Sequence, residues 1–83
     1  MKAIRYSTPA LKQLRKIPAA DAKRIVAKVE QLVSGPAALA NQVKKLQGVD
    51  AMRLRVGNYR VIYTDVGLVL LVLKVRRRGS VYE

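Results

Sequence analysis

The chain has 83 residues, with 17 Lys and Arg against five Asp and Glu, a formal net charge of +12, and neither cysteine nor histidine. This length indicates a single small domain, residues 1–83. The missing residue types exclude a disulfide framework, a thiolate metal site and the usual general base near neutral pH. The charge destabilises the fold by self-repulsion and favours a polyanionic partner, nucleic acid first and an acidic protein second. A solvated basic surface is the alternative, and charge alone does not exclude it.

The sequence has few features typical of a membrane protein or of a cofactor site. The longest apolar run, Gly67 to Leu73, is far too short to span a bilayer, and the N-terminus lacks the apolar core of a signal peptide. We therefore expect a cytoplasmic protein with no membrane contact. The five carboxylates are scattered, and no glycine-rich phosphate loop is present, so we expect neither a metal nor another cofactor.

The first part of the chain predicts a strand followed by two helices. Residues 3–6 alternate weakly between apolar and polar side chains, as in a strand. A first helix begins at Thr8, a capping residue followed by proline, and ends near Ile17, because Pro18 breaks it. The second helix has an apolar stripe at helical spacing and ends at the Ser-Gly-Pro of residues 34–36.

Residues 37–50 have no clear apolar stripe, and we interpret them as a connection to residues 53–60, RLRVGNYR. A Gly-Asn pair between alternating runs is a hairpin signal. A two-residue loop pairs Arg55 with Arg60 and places Arg53 on the same face. The apolar positions then line the other face: Met52, Leu54, Val56, Tyr59, Val61 and Tyr63. Like charges placed opposite each other are destabilising, so we expect the charged face to bind an anion.

Residues 68–75, LVLLVLKV, predict a central strand buried on both faces. A three-residue turn would pair Thr64 with Leu68 and Arg60 with Val72. It would place three further cations on the arginine face: Lys74, Arg76 and Arg78. A two-residue turn would reverse this orientation, and both registers remain open. In the first register the basic side chains of three strands form one concave patch suited to a phosphate backbone.

The predicted order is β-α-α-β-β-β, an α+β fold with a two-helix hairpin on one face of a small, mostly antiparallel sheet. Two features near the C-terminus have alternative interpretations. The run Arg76–Arg78 is either part of the basic patch or a solvated tail. Tyr82 could stack on an unpaired base, although a tyrosine packed at the domain edge is the simpler interpretation.

Three segments in combination resemble the RelE-type toxins of bacterial and archaeal toxin–antitoxin pairs: KKLQG at 44–48, RLRVGNYRVIY at 53–63 and LVLKVRRRGSVY at 71–82. The element order and the length also fit, so the resemblance covers essentially the whole chain. It implies a RelE-like fold and a ribosome-dependent, metal-independent endoribonuclease. Such a toxin cleaves mRNA in the ribosomal A site by attack of a 2′-hydroxyl on the neighbouring phosphate, which inhibits translation.

The resemblance also assigns roles to residues. Arg53 and Arg55 occupy a pair of positions that are lysine in the best-known member, where one is proposed as the general base. Arg60 matches the arginine that stabilises the phosphate charge. Arg78 matches the arginine that is proposed to protonate the leaving oxygen, and Tyr82 matches the tyrosine that orients the scissile nucleotide. We predict further RNA contacts from Lys44, Lys45, Lys74, Arg76 and Arg77. An arginine is effectively always protonated, so Arg55 is a poor general base.

The partners implied are the ribosome, its mRNA and an acidic RelB-like antitoxin that forms a hetero-oligomer with the toxin. Two alternatives stay open. A ParE-type toxin shares the fold but poisons DNA gyrase, and a non-catalytic RNA- or DNA-binding module would need only the basic face. The combination of Arg60, Arg78 and Tyr82 favours the RelE type.

Overall fold

A computed structural model of the chain describes residues 3–35, 39 and 41–77. The bounds of its elements are β1 Ala3–Tyr6, α1 Thr8–Lys16, α2 Ala19–Ser34, β2 Val43–Lys45, β3 Met52–Val56, β4 Tyr59–Asp65 and β5 Val69–Arg77. The sheet order is β1-β5-β4-β3-β2, with β1 parallel to β5 and the other neighbouring pairs antiparallel. The predicted α+β fold, two helices on a mostly antiparallel sheet, is confirmed.

The prediction that residues 37–50 only connect helix and hairpin is wrong, because they include the strand β2. Val43 pairs with Leu54 and Lys44 with Arg53, so the observed order is β-α-α-β-β-β-β. A three-residue edge strand is too short for its alternation to stand out in a sequence. Its pairing depends on β3, which lies further along the chain.

The start of α1 also differs from the prediction. Ser7, not Thr8, is the capping residue: its backbone is extended, and its Oγ accepts a hydrogen bond from the Ala10 N–H at 3.2 Å. Thr8 is already helical, and Pro9 lies in the first turn, where its missing N–H needs no partner. The helix ends at Lys16, and Pro18 then precedes the first residue of α2.

The core lies between the helices and the inner face, which is the face of the sheet that the helices cover. The predicted hairpin register is confirmed, with Val56 opposite Tyr59 and Leu54 opposite Val61. The predicted inner-face residues of the hairpin are buried or packed against the core. Ile25, Leu54, Val61 and Val72 have at most 1 % of their surface exposed, and burial of each such side chain contributes about 1.5–3 kcal/mol.

The strand β5 has a neighbour on each side, as predicted, but only one of its faces is covered. Leu70 and Val72 are buried in the core, whereas Leu71 and Leu73 on the opposite face are half-buried. The prediction of burial on both faces is therefore wrong, because both helices pack on the inner face. The apolar side chains on the other face are left partly open.

A β-bulge divides β5. Tyr63 pairs with Val72 but Ile62 pairs with Lys74, so β5 carries one extra residue, Leu73, at this point. The expected pairing of Thr64 with Leu68 is wrong, because Thr64 pairs with Leu71. The bulge reverses the alternation of β5, so that both Val72 before it and Val75 after it lie in the core.

The β2–β3 loop, residues 46–51, is held in place at both ends. The Leu46 N–H donates to the Ala51 carbonyl oxygen at 3.0 Å, which closes the loop. Thr64 Oγ1 donates to the Asp50 carbonyl oxygen at 3.1 Å and ties the loop to β4. Among the described residues, no helix has the length and apolarity needed to cross a bilayer.

Candidate functional site

Three arginines from three neighbouring strands form a row across the outer face, which is the face of the sheet turned away from the helices. Arg55 lies opposite Arg60, as predicted, and Arg60 lies opposite Arg76. Neighbouring strands are about 4.8 Å apart, so the three arginines lie side by side on adjacent strands. Arg55 and Arg60 are exposed, and Arg76 is half-buried. We call this set the arginine row.

A second set of cations lies beside the arginine row. Arg53 is opposite Ile62, which is in turn opposite Lys74, so two cations flank one apolar side chain. Lys44 of β2 is opposite Arg53 and extends the set to the edge of the sheet. The outer face therefore presents cations from β2, β3, β4 and β5.

The bulge in β5 is what brings Lys74 and Arg76 to this face. In an unbroken strand they would share the face of Leu70 and Val72, which is the core side. With the extra residue at Leu73, the alternation reverses and both cations turn outward. Arg76 therefore lies on the face of Arg60, which is the orientation expected from a three-residue turn, but the expected pairing of Arg60 with Val72 is wrong. Arg60 pairs with Arg76, and the reason is the bulge in the strand and not the length of the turn.

These cations surround a groove of about 440 Å³, which we call the basic groove. Its apolar residues come from the sheet and from the β2–β3 loop: Leu46, Val49, Ala51, Ile62 and Leu73. Its basic residues are Arg53, Arg60, Lys74 and Arg76. The volume falls within the range of small-ligand sites, about 300–1,000 Å³.

The cations of the basic groove have no carboxylate partner among the described residues. An ion pair between Arg24 and Asp21 at 3.9 Å belongs to α2, on the other side of the sheet. Unpaired like charges this close repel one another and destabilise the fold. Bound anionic oxygens would reverse that cost, and arginine can offer each of them two parallel donors.

The remaining predicted residues are not all brought to the groove. Lys45 pairs with Met52 and Arg77 pairs with Tyr59. Met52 and Tyr59 are inner-face residues, so Lys45 and Arg77 lie on the inner face, away from the groove. Arg78 and Tyr82 lie outside the described residues. The wall formed by Leu46, Val49 and Ala51 was not predicted, because the loop resembles an ordinary turn until tertiary contacts place it beside the cations.

The tyrosines of the hairpin are core residues, as predicted. Tyr59 is buried and its hydroxyl donates to Asp21 Oδ2 at 2.8 Å; this hydrogen bond, together with burial, raises the pKa of Tyr59 above its ordinary value. Burial is the main cause that raises the pKa of Tyr63, and the nearby Asp65 adds to it. Neither hydroxyl lines the basic groove.

The basic groove has the groups needed to bind and stabilise phosphate charge. Fixed cations aimed at developing negative charge are a large source of catalysis in phosphoryl chemistry. Its described lining residues include neither a histidine nor a carboxylate, which are common general bases. No group of three or more His, Cys, Asp or Glu side chains within residues 3–35, 39 and 41–77 could hold a metal ion.

Comparison with known proteins decides the family. Residues 4–82 match the profile of the ParE toxin of type II toxin–antitoxin systems. The chain belongs to this family. Its members share a superfamily with the RelE-type toxins, and a chain of this family is a toxin of a type II toxin–antitoxin system. The comparison with curated proteins gave no match.

Solved structures agree with this family assignment. The chain is 29% identical to a chain of the archaeal RelE–RelB complex from Pyrococcus horikoshii OT3, with a TM-score of 0.79 over 95% of this chain and 97% of that one. It is 25% identical to a chain of the intact E. coli RelBE toxin–antitoxin complex, with a TM-score of 0.74 over 95% and 99%. YafQ from E. coli shares the fold at 14% identity, with a TM-score of 0.78 over 100% of both chains.

Proposed function

We propose that this toxin is a ribosome-dependent, metal-independent endoribonuclease that cleaves mRNA in the ribosomal A site and so inhibits translation. The observation that carries the proposal is the arginine row, Arg55–Arg60–Arg76, which has no carboxylate partner among the described residues. An RNA phosphate placed against this row would meet bidentate donors from three strands. The similarity to RelE chains supports the same activity.

In the proposed reaction the 2′-hydroxyl of one nucleotide attacks the adjacent phosphate, and its proton passes to solvent or to a group of the ribosome. The P–O5′ bond breaks, leaving a cyclic phosphate and a free 5′-hydroxyl. Arg60 and its neighbours in the row stabilise the charge of the dianionic phosphorane. Arg78 protonates the leaving oxygen and Tyr82 orients the scissile nucleotide. Both of these roles rest on the resemblance, since the two residues lie outside the described part of the chain.

This chain has arginine at positions 53 and 55, where some related toxins have lysine. Arginine is a poor general base, so Arg53 and Arg55 act by orienting the 2′-hydroxyl and the phosphate. Loss of a general base typically costs about 10²–10⁴-fold in rate. We therefore expect slower cleavage than by a lysine-containing toxin, unless a group of the ribosome accepts the proton.

An acidic RelB-like antitoxin is the proposed second partner. The RelE–RelB complexes support such a partner, and the net charge of +12 favours an acidic one. Bound in a hetero-oligomer, it would neutralise the cations of the outer face and remove their mutual repulsion. Binding to the folded state alone also raises the free energy of unfolding.

The test is cleavage of mRNA on programmed ribosomes, with cut sites mapped by primer extension. We expect A-site cuts by the parent and a strong loss in Arg60→Ala, Arg78→Ala and Tyr82→Phe. Arg15→Ala is the matched control, because Arg15 is an exposed arginine of α1 that does not line the basic groove. Arg60→Lys separates charge from bidentate geometry and should recover only part of the rate.

Two results would assign another function, and a third would reject the outer face as the site. Absence of ribosomal cleavage, together with gyrase-linked DNA breaks, would indicate a ParE-type gyrase poison. RNA binding without either activity would indicate a passive binding module. Equal losses in Arg60→Ala and Arg15→Ala would show that the outer face has no special role in cleavage.

A further inference from the structure

The basic groove combines two surfaces that a simple phosphate site does not need. Its base is apolar, formed by Ile62 and Leu73 side by side on neighbouring strands, and both are half-buried. Its wall is also apolar, formed by the β2–β3 loop, where 54% of the surface of Val49 is exposed. A phosphate contacts cations and gains nothing from such residues.

We propose that the basic groove is a nucleobase subsite: one unpaired base of the RNA packs on Ile62 and Leu73 against Val49, while its flanking phosphates contact the surrounding cations. A nucleotide has both features that the groove offers, a flat face of low polarity and an anionic group beside it. The inference rests on the proposed function and extends it, because it makes the β2–β3 loop a contributor to nucleotide preference.

The shape of the groove favours a nucleotide over an acidic peptide. A peptide helix is usually recognised along an extended groove by apolar anchors three and four residues apart. Here a single depression of about 440 Å³ is bounded by cations from three strands. Arg53 and Lys74 lie on either side of Ile62, so a base resting on Ile62 would have a cation at each edge. Guanidinium planes also stack on bases.

The loop is built to hold its wall in position. The Leu46–Ala51 hydrogen bond closes it, and the Thr64–Asp50 hydrogen bond anchors it to β4. Val49 is therefore exposed on a fixed support rather than on a free loop tip. Removing its two methyl groups would change the apolar contact and leave the cations in place.

The experiment is a cycle that combines a protein change with a change in the mRNA. Val49→Ser is measured on programmed ribosomes with normal mRNA and with mRNA that lacks the base at one A-site position at a time. The abasic nucleotide keeps its ribose and its phosphates. Val66→Ser is the matched control, because Val66 is a valine in the β4–β5 turn with 63% of its surface exposed, and it does not line the groove. Thermal unfolding of both variants checks that they fold.

If Val49 contacts the base, the two changes are not additive. Val49→Ser should slow cleavage of normal mRNA by about tenfold, the lower end of the discrimination that one methylene provides in an apolar pocket. It should have no further effect when the base at one A-site position is absent. Val66→Ser should change neither rate. Preference among codons that differ at that position should shift with Val49→Ser.

Several outcomes would overturn the inference. Additive effects at all three A-site positions would mean that Val49 acts on stability or on ribosome binding. A Val49→Ser variant with normal cleavage and weakened binding of an acidic antitoxin peptide would assign the groove to the protein partner. Cleavage by the parent with no effect of Val49→Ser would reject the subsite but keep the nuclease, whereas no cleavage by the parent would reject both.

Discussion

Ser7 Oγ donates a hydrogen bond to the carbonyl oxygen of Leu73 at 2.5 Å, and Leu73 is the extra residue of the β5 bulge. The Ser7 N–H also donates to the Val72 carbonyl oxygen at 2.8 Å. The residue that caps α1 therefore also holds the backbone where the alternation of β5 reverses. Since this reversal turns Lys74 and Arg76 to the outer face, Ser7 links the start of a helix to the geometry of the basic groove.

Ser7→Ala should destabilise the fold and disturb the bulge. It removes a helix cap, which costs about 0.5–2 kcal/mol, and leaves the Leu73 carbonyl oxygen without this donor. We expect a loss of about 1–3 kcal/mol in the free energy of unfolding, measured by urea denaturation. Amide chemical shifts of Lys74 and Arg76 should move as well.

Thr8→Ala is the matched control for this change. Thr8 is exposed, is the neighbour of Ser7, and its side chain makes no hydrogen bond to a described residue. A change within about 0.5 kcal/mol is expected. If both variants lose the same stability, or if the two amide shifts do not move in Ser7→Ala, the proposed link between cap and bulge is wrong.

Arg60→Gln should stabilise the chain while it weakens cleavage. Arg60 lies between Arg55 and Arg76, and each directly opposed like-charge pair costs roughly 0.2–1 kcal/mol. The gain should be largest at low ionic strength and should shrink as salt shortens the Debye length to about 8 Å at 0.15 M. Thermal unfolding over a series of salt concentrations measures it.

The control for this prediction is Arg15→Gln. Arg15 lies in the last turn of α1, where a cation interacts favourably with the helix dipole. Its removal should lower stability slightly or leave it unchanged. A destabilised Arg60→Gln, or a gain that does not depend on salt, would contradict the view that the arginine row is held together against repulsion.

Tyr59→Phe should lower stability at neutral pH and lose most of that effect in strong alkali. The hydrogen bond to Asp21 keeps the Tyr59 hydroxyl protonated and raises its pKa in the folded state. Its stabilising contribution is complete below the unfolded-state tyrosine pKa of about 10. The contribution disappears as the pH rises through the higher folded-state pKa. Denaturation of parent and variant across this alkaline range measures the difference.

Tyr6→Phe is the matched comparison. The Tyr6 hydroxyl is buried without a hydrogen-bond partner among the described residues, and burial, with a contribution from Glu30, raises the pKa of Tyr6. Removing an unsatisfied hydroxyl is expected to be neutral or stabilising at neutral pH. Equal effects of the two substitutions would show that the Tyr59–Asp21 hydrogen bond contributes nothing specific to stability.

Much of the fold follows from local patterns. The Gly57-Asn58 turn determined the hairpin register, because a two-residue loop leaves one pairing, and Gly57 has the positive φ of +56° that such a turn requires. The opposition of Arg55 and Arg60 was therefore predictable. The helix break at Pro18 was equally local, since proline lacks the N–H that a helix needs.

Other features depend on contacts between distant residues. The edge strand β2 forms because β3 offers a free edge, and three residues alone do not indicate it. The capping residue of α1 is Ser7 and not the predicted Thr8, and Ser7 also donates a hydrogen bond to β5. The wall of Leu46, Val49 and Ala51 depends on the position of the β2–β3 loop, which the Thr64–Asp50 hydrogen bond ties to β4.

By itself the sequence determined that this chain carries a basic face on a small α+β domain, because charge, turn chemistry and periodicity are local properties of the residues. Only the tertiary structure decided which cations share that face. The run from Leu68 to Val75 is compatible with either alternation, and the choice is made by the Leu73 bulge, by the core contacts of Val72 and Val75, and by Ser7. The basic groove thus depends on one extra residue in one strand.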